Sequence, residues 1–173
     1  MKRIMVLGVS AGTGKSTLAR QMGESLGLDV FHLDRMFWKP GWIESTQEEF
    51  AAKQQEVVQR DAWIIEGNYS GTYDLRAKRA DTIVYVELPL YICLYRVINR
   101  WWHNRGQTRE DMGEGCEEKL DYEFLKFIVT TYHRRKKRMR ERFRAFQQED
   151  ITKEIVLLRS REDVARFLES LKA

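Results

Sequence analysis

Short apolar runs alternate with longer segments of helical period along the whole chain. Ile4-Met5-Val6-Leu7 is the first run, and after an intervening loop Leu18, Met22, Leu26 and Leu28 mark the inward face of a helix ending near Gly27. A second strand, Asp29-Val30-Phe31-His32-Leu33, runs into Asp34 and an aromatic, turn-rich stretch from Met36 to Trp42. Ser45 with Glu48, or Thr46 with Glu49, reads as a capping box that opens a polar helix to about Arg60. Ala62-Trp63-Ile64-Ile65 is then a buried strand leading to Glu66-Gly67-Asn68-Tyr69.

The alternation continues. Ile83 to Glu87 forms a strand, and Pro89 starts a helix carrying Leu90, Leu94, Val97, Ile98 and Trp101. Periodicity is lost between His103 and about Cys116, where Gly106, Gly113 and Gly115 collect, so this segment reads as a mobile excursion. A long helix is expected from about Glu117 to Gln147, followed by the strand Ile155 to Leu158 and a closing helix capped by Ser160, with Val164, Phe167, Leu168 and Leu171 inward. The pattern predicts an α/β fold with a mainly parallel sheet covered by helices on both faces, in one domain spanning 1–173. In such sheets ligands bind beyond the carboxyl ends of the strands. One rim should therefore carry the loop after Leu7, Asp34, Glu66 to Asn68, and the turns after Glu87 and Leu158.

The first of those loops has chemistry of its own. Gly8-Val9-Ser10-Ala11-Gly12-Thr13-Gly14-Lys15-Ser16-Thr17 joins a strand to a helix, so its backbone N–H groups and the helix dipole form a cradle for a phosphate chain. Lys15 supplies a point charge for β- and γ-phosphates and Ser16 a hydroxyl for Mg²⁺. The match to G-x-x-x-x-G-K-[ST] departs at one place: Val9 stands six residues before Lys15, and the glycine comes one earlier, at Gly8. These residues, Gly8 and Ser10 to Thr17, are the expected ATP-binding set, with Arg96 and Arg100 added from the later helix.

Composition narrows the partners. With 173 residues, 43% hydrophobic and 12% aromatic, the chain has material for one sizeable core. A net charge of +4 favours anionic partners, nucleotides and nucleic acids alike. No apolar run approaches a membrane span, and Met1-Lys2-Arg3 feeds straight into the first strand, which predicts a cytoplasmic protein with no membrane partner. Cys93 and Cys116 are far apart and read as reduced thiols, and His32, His103 and His133 show no metal-ligand spacing.

Phosphoryl transfer needs a carboxylate for the attacking hydroxyl and another on the metal side. Asp34 and Glu66 stand at the ends of successive strands, with Asp34 expected at the acceptor and Glu66 assigned to both acceptor and Mg²⁺. Trp38, Trp42, Asn68 and Tyr69 flank them as an acceptor wall, and Arg76 or Arg79 could bind an acceptor phosphate. Arg96 and Arg100 share a helix face that leads into the excursion, and Arg105 and Arg109 lie within it, the pattern of a lid that brings cations to the transferring group. Lys15, Asp34, Arg100 and Arg105 are the expected catalytic residues. The dense basic run from His133 to Arg144 reads as a solvated helix face, with Arg134 or Arg135 able to reach the lid site and a nucleic-acid patch as the secondary reading.

The loop through Thr17, His32-Leu33-Asp34, Trp38-Lys39-Pro40-Gly41-Trp42, Trp63 to Tyr69, Arg79 to Ile83, and Arg105 to Met112 with Gly115-Cys116 together resemble the bacterial DNA topology modulation proteins, adenylate-kinase-related members of the P-loop kinase superfamily. That resemblance implies a nucleoside monophosphate kinase-like fold in three layers, a five-stranded parallel sheet, ATP binding and a lid between about 101 and 116. Where nucleotide kinases carry Asp-Gly-Phe-Pro-Arg, this chain has Glu66-Gly67-Asn68-Tyr69, without the proline or arginine. The expectation is a Mg²⁺- and ATP-dependent kinase for a small acceptor, a nucleoside, nucleotide or related metabolite. The alternative is a nucleotide-binding regulator that acts on DNA through the 134–144 helix. A guanine-nucleotide switch is disfavoured, because the chain has no N-K-x-D motif.

Overall fold

The computed structural model describes residues 1–172. Its main sheet has five strands, β1 (Arg3–Gly8), β2 (Val30–His32), β5 (Trp63–Glu66), β6 (Thr82–Val86) and β7 (Glu154–Leu158), in the order β2-β5-β1-β6-β7 and parallel throughout. A two-stranded hairpin, β3 (Trp38–Lys39) with β4 (Ile43–Glu44), stands apart from it. The helices are α1 (Lys15–Leu26), α2 (Leu33–Phe37), α3 (Gln47–Val58), α4 (Tyr73–Ala77), α5 (Leu90–His103), α6 (Tyr122–Glu149) and α7 (Arg161–Ser170).

Continuous apolar runs become central strands because helices cover both faces, leaving no wet face that needs polar side chains. Ile4, Met5, Val6, Trp63, Ile64, Ile65, Ile83, Val84 and Tyr85 all have 0% exposure, so the core lies on β1, β5 and β6. The loop after β1 thereby rests on the most deeply buried part of the molecule. Caps set the helix limits. Thr46, rather than Ser45, makes the capping box with Glu49, because the Ser45 hydroxyl donates instead to the Met36 carbonyl. Ser160 caps α7 with Asp163 as expected.

Three elements differ from the pattern-based reading. Strand β2 ends at His32, because Leu33 to Phe37 coils into a helical turn that puts Asp34 on the rim rather than at a strand end. The aromatic stretch after it is a hairpin turned at Gly41 (φ 79°) and Trp42 (φ 64°), left-handed values that cost a tryptophan energy. Trp42 is held there by an edge contact with Trp38 at 5.2 Å and by Lys119 over its ring. Helix α6 starts at Tyr122 and not near Glu117, because Asp121 caps it and residues 117 and 118 bridge back to Thr108 and Arg105. The irregular segment accordingly runs from 104 to 121, later than the 101–116 expected, since α5 continues through His103.

Candidate active site

Val9 explains the displaced glycine of the phosphate loop. Its N–H still donates to the Val86 carbonyl at 3.0 Å and its side chain is fully buried, so the chain leaves the sheet one residue later than the motif anticipates. Gly8 is required for a separate reason: a Cβ there would lie 2.5 Å from Thr13 Oγ1 and 2.8 Å from the Lys15 stem, which fold back over it. Its N–H donates to Asn68 Oδ1 at 3.0 Å, tying the loop to the end of β5. Among the described residues, no backbone or side-chain acceptor takes up the N–H groups of Gly12 to Thr17. A row of free donors at a helix start is an anion cradle, and the Ser10 hydroxyl, buried without a partner, lies on the same loop.

The carboxylates meet the loop from the neighbouring strands. Glu66 is 3% exposed, accepts from Ser16 Oγ at 3.2 Å, and lies 3.8 Å from Lys15 Nζ through its other oxygen. His32 Nδ1 is 3.0 Å from the same Glu66 oxygen, because β2 and β5 pair in a register that sets His32 opposite Glu66. The sequence reading gave His32 no role, although its place just before Leu33-Asp34 was a signal for it. Asp34 faces the cleft from α2, and the Tyr69 hydroxyl donates to its Oδ1 at 2.7 Å. Burial, with the Glu66 charge behind it, pushes the Asp34 carboxyl above its ordinary range against the opposing effects of Tyr69, Lys15 and Arg109.

Arg76 does not reach the acceptor side. It is fully buried and donates to the carbonyls of Gly67 at 2.9 Å, Tyr69 at 2.9 Å and Thr72 at 3.3 Å, so it moulds the turn after β5 from beneath. The expectation of substrate contact is corrected: Gly67 and Tyr69 follow β5 without regular structure, and the one buried guanidinium reaches both carbonyls, adding at Tyr69 to the Thr72 N–H bond of 3.3 Å. Burial lowers its pKa to about 9. Arg79 is likewise engaged elsewhere, donating to the Val58 carbonyl at 3.3 Å.

The 104–121 segment is folded down over the cleft. Arg100 Nη2 lies 2.8 Å from Glu118 Oε1 and Arg109 Nε 2.6 Å from Glu118 Oε2, so one buried carboxylate holds both cations. Arg109 also pairs with both oxygens of Asp111, at 2.8 and 3.0 Å. Burial raises the Asp111 carboxyl, but Arg109, the Ser16 hydroxyl and His32 together hold it below the usual range. Arg105, expected among the catalytic residues, is corrected to an outward position. It is exposed and forms no part of the cleft wall, because its guanidinium is drawn over the Trp101 ring at 5.5 Å. Arg109 takes the inward place. Arg96 reaches the loop from α5, donating to the Thr13 carbonyl at 3.1 Å.

The segment closes against the hairpin and not only the loop. Trp42 Nε1 donates to the Glu117 carbonyl at 3.2 Å, Cys116 Sγ approaches the Lys39 carbonyl at 3.3 Å, and Gly41 N–H points to the Gly115 carbonyl at 3.4 Å. Gly113 permits the seam, since a Cβ there would overlap the Trp38 carbonyl oxygen. Together these parts enclose a cleft of about 1450 Å³ running from Arg161 past the phosphate loop to Asp34, Trp38 and Trp42. The basic helix α6 forms another wall: Arg134 and Arg135, expected within reach of the lid site, line this cleft, and so do Arg138 and Arg142, for which the sequence pattern gives no such expectation.

Ser16, Glu66 and Asp111 present hard oxygen donors beside the cradle, the chemistry that suits Mg²⁺. Among the described residues no three carboxylate, histidine or cysteine side chains form a complete metal cage, and none is needed for an ion that shares phosphate oxygens and water. Among the described residues no helix is long and apolar enough to cross a membrane.

No protein-family model and no curated protein matches the sequence. Solved structures do match in shape. Shikimate kinase from Acinetobacter baumannii in complex with shikimate aligns with a TM-score of 0.55 at 14% identity, over 99% of this chain and 91% of that one. Shikimate kinase from Aquifex aeolicus gives 0.54 at 15%, over 98% and 96%. A gluconokinase from Sinorhizobium meliloti 1021 gives 0.51 at 15%, over 98% and 95%. The resemblance to DNA topology modulation proteins gains no support from these matches. At such identities the likeness is one of architecture: the chain has the fold of the P-loop kinases.

Proposed function

We propose that this protein is a kinase that transfers the γ-phosphoryl group of ATP to a hydroxyl of a small acceptor, a nucleoside, nucleotide or related metabolite. One observation carries the reading: a cradle of free N–H donors with Lys15 and Ser16 opens into the same cleft as an Asp34 carboxylate held by Tyr69. That solved proteins of this shape bear the names of small-molecule kinases is in keeping with it.

Gly12 to Thr17 bind the phosphates, and Lys15, with Arg96 and Arg100, faces the charge that spreads over the equatorial oxygens. Ser16, Glu66 and Asp111 would hold Mg²⁺, which when bound would supply charge neutralisation on the phosphate chain. Asp34 accepts the proton of the acceptor hydroxyl as its oxygen forms a bond to the γ-phosphorus and the bond to the β–γ bridging oxygen breaks, releasing ADP. Trp38, Trp42, Asn68 and Tyr69 enclose the acceptor, and Arg109 delivers charge from the closed segment.

The DNA-regulator reading is less well supported, because Arg134, Arg135, Arg138 and Arg142 of that helix border the cleft, which leaves Lys137, Arg140 and Arg144 as the exposed basic side chains of the run outside it. The test is acceptor-stimulated ADP release across a panel of nucleosides, nucleotides and hydroxylated metabolites. Stimulation by at least one class, lost in Lys15→Ala, is expected. Its absence across the panel, with salt-sensitive DNA binding through α6 in its place, would overturn the proposal.

A further inference from the structure

Helix α6 carries more positive charge into the cleft than ATP and the catalytic residues use. Arg134, Arg138 and Arg142 recur every four residues, so they form one row on the helix, about 12 Å from end to end. The lower end is fixed beside the acceptor turn: Arg142 donates to the Ser70 carbonyl at 3.3 Å and lies 3.9 Å over the Tyr73 ring. Ser70 directly follows Tyr69, which holds Asp34. The row therefore starts beside the turn that holds Asp34 and rises toward the Glu87–Leu88 turn, where Tyr132 and Lys136 of the same helix are anchored, whereas Arg96 stands at the phosphate loop.

Among the described residues none of Arg134, Arg135, Arg138 and Arg142 forms an ion pair. The contrast within the helix is informative, because Lys136, which faces the sheet, pairs with the buried Glu87 at 2.9 Å. Arg142, at the lower end of the row, is lowered by burial and by Arg138, against the opposing effects of Tyr73 and Asp74, and Arg135 beside the row is lowered by burial and by Arg134. Four guanidinium groups that border one cleft within three turns of helix, two of them half-buried and none in an ion pair, offer that cleft a place for an anion. A carboxylate monoanion would leave most of that charge unopposed. A phosphate monoester brings nearly two charges and three acceptor oxygens, which the planar forks of several arginines can share.

We infer that the acceptor is itself a phosphomonoester, whose phosphate dianion docks on Arg134, Arg138 and Arg142 while its free hydroxyl faces Asp34. The inference rests on the kinase reading and narrows it: a neutral nucleoside or unmodified sugar becomes a poor acceptor. Nucleoside monophosphates and sugar phosphates share this chemistry and differ in what Trp38 and Trp42 must enclose.

The test measures binding and turnover with matched pairs: nucleoside 5′-monophosphates against nucleosides, and hexose or pentose phosphates against the free sugars. Binding is followed by calorimetry with Mg-ADP present, so that it does not depend on turnover. At least one phosphomonoester should bind at least about 10-fold tighter than its dephosphorylated partner, with an affinity that falls as salt rises. Arg138→Met, at an exposed position where folding is not at stake, should weaken that binding about 10- to 100-fold and leave Mg-ADP binding unchanged. Arg138→Lys should recover part of it. Turnover of a dephosphorylated acceptor at least as efficient as of its phosphate ester, lost in Lys15→Ala, would overturn the inference and keep the kinase. Phosphomonoester binding unchanged in Arg138→Met, or a loss confined to duplex DNA binding, would also overturn it. Failure of wild-type protein to bind Mg-ADP would remove the kinase reading and the inference with it.

Discussion

The Tyr69 hydroxyl donates to Asp34 Oδ1 at 2.7 Å, which fixes the carboxylate and stabilises its charged form against burial and Glu66. The proton acceptor of the reaction must be ionised. Because the Asp34 carboxyl is raised, kcat/KM should fall on acidification at a pH above the usual carboxylate range. Tyr69→Phe removes a group that lowers this pKa, so the acidic limb should move to still higher pH. Asp34→Asn should cut acceptor-dependent turnover by roughly 10² to 10⁴ while Mg-ADP affinity changes little. Pre-steady-state rates against pH for both variants check the assignment, and a limb that stays in place in Tyr69→Phe would sink it.

Lys15 and Glu66 divide the phosphate side between them. Lys15→Ala should lower turnover by more than roughly a hundredfold with the fold intact by circular dichroism. Glu66→Gln removes a charge next to Ser16 and His32, and should raise the Mg²⁺ concentration for half-maximal rate. Magnesium titrations at fixed ATP decide the second point: an unchanged midpoint would take Glu66 off the metal side.

Arg109, and not Arg105, should matter for the lid. Alanine at Arg109 should lower kcat by roughly 10²-fold or more and weaken Mg-ADP binding less, whereas Arg105→Ala should stay near wild type. Glu118→Gln, which frees both Arg100 and Arg109 from their shared carboxylate, should change kcat through the lid and not through ADP affinity. Steady-state kinetics beside calorimetry separate the two effects, and equal losses at Arg105 and Arg109 would contradict the geometry.

Arg76→Met should destabilise the protein by roughly 2 kcal/mol or more, since it leaves the Gly67 carbonyl without its donor and strips one bond each from the carbonyls of Tyr69 and Thr72. Chemical denaturation measures this. Arg76→Lys should recover little, because an ammonium cannot span the same fan of carbonyls. A stable Arg76→Met protein with selectively impaired acceptor binding would restore a direct contact.

Much of this site could be read from residue order, for a physical reason. Strand ends in a parallel sheet all point to one rim, so Lys15, Ser16 and Glu66 were placed together by the alternation alone. Arg76 defeated the same logic, because a guanidinium near the rim in sequence can turn inward when loop carbonyls need donors. Glu118 and Asp111 carry no local signal: their partners depend on how an aperiodic segment folds back. Arg138 and Arg142 lay in a run whose composition suits solvent equally well, and only the path of α6 across the cleft separates the inward spacing from the outward one.

The seam that Gly113 permits has a kinetic consequence. The segment latches to the Trp38–Glu44 hairpin through three hydrogen bonds, all of which must part before anything enclosed beneath can leave. At net values near those of ordinary hydrogen bonds, unlatching costs roughly 1.5 to 4 kcal/mol, which leaves the open form at about 0.1 to 7% of molecules. Under the proposed function the hairpin is also the acceptor wall, so the phosphorylated product, more than ADP, should wait on this step. Turnover should then slow as solvent viscosity rises, and Gly113→Ala, which props the seam apart, should shorten the wait for release while exposing the transferred group to water. A rate indifferent to viscosity, with a burst-free first turnover, would place the slow step in the chemistry instead.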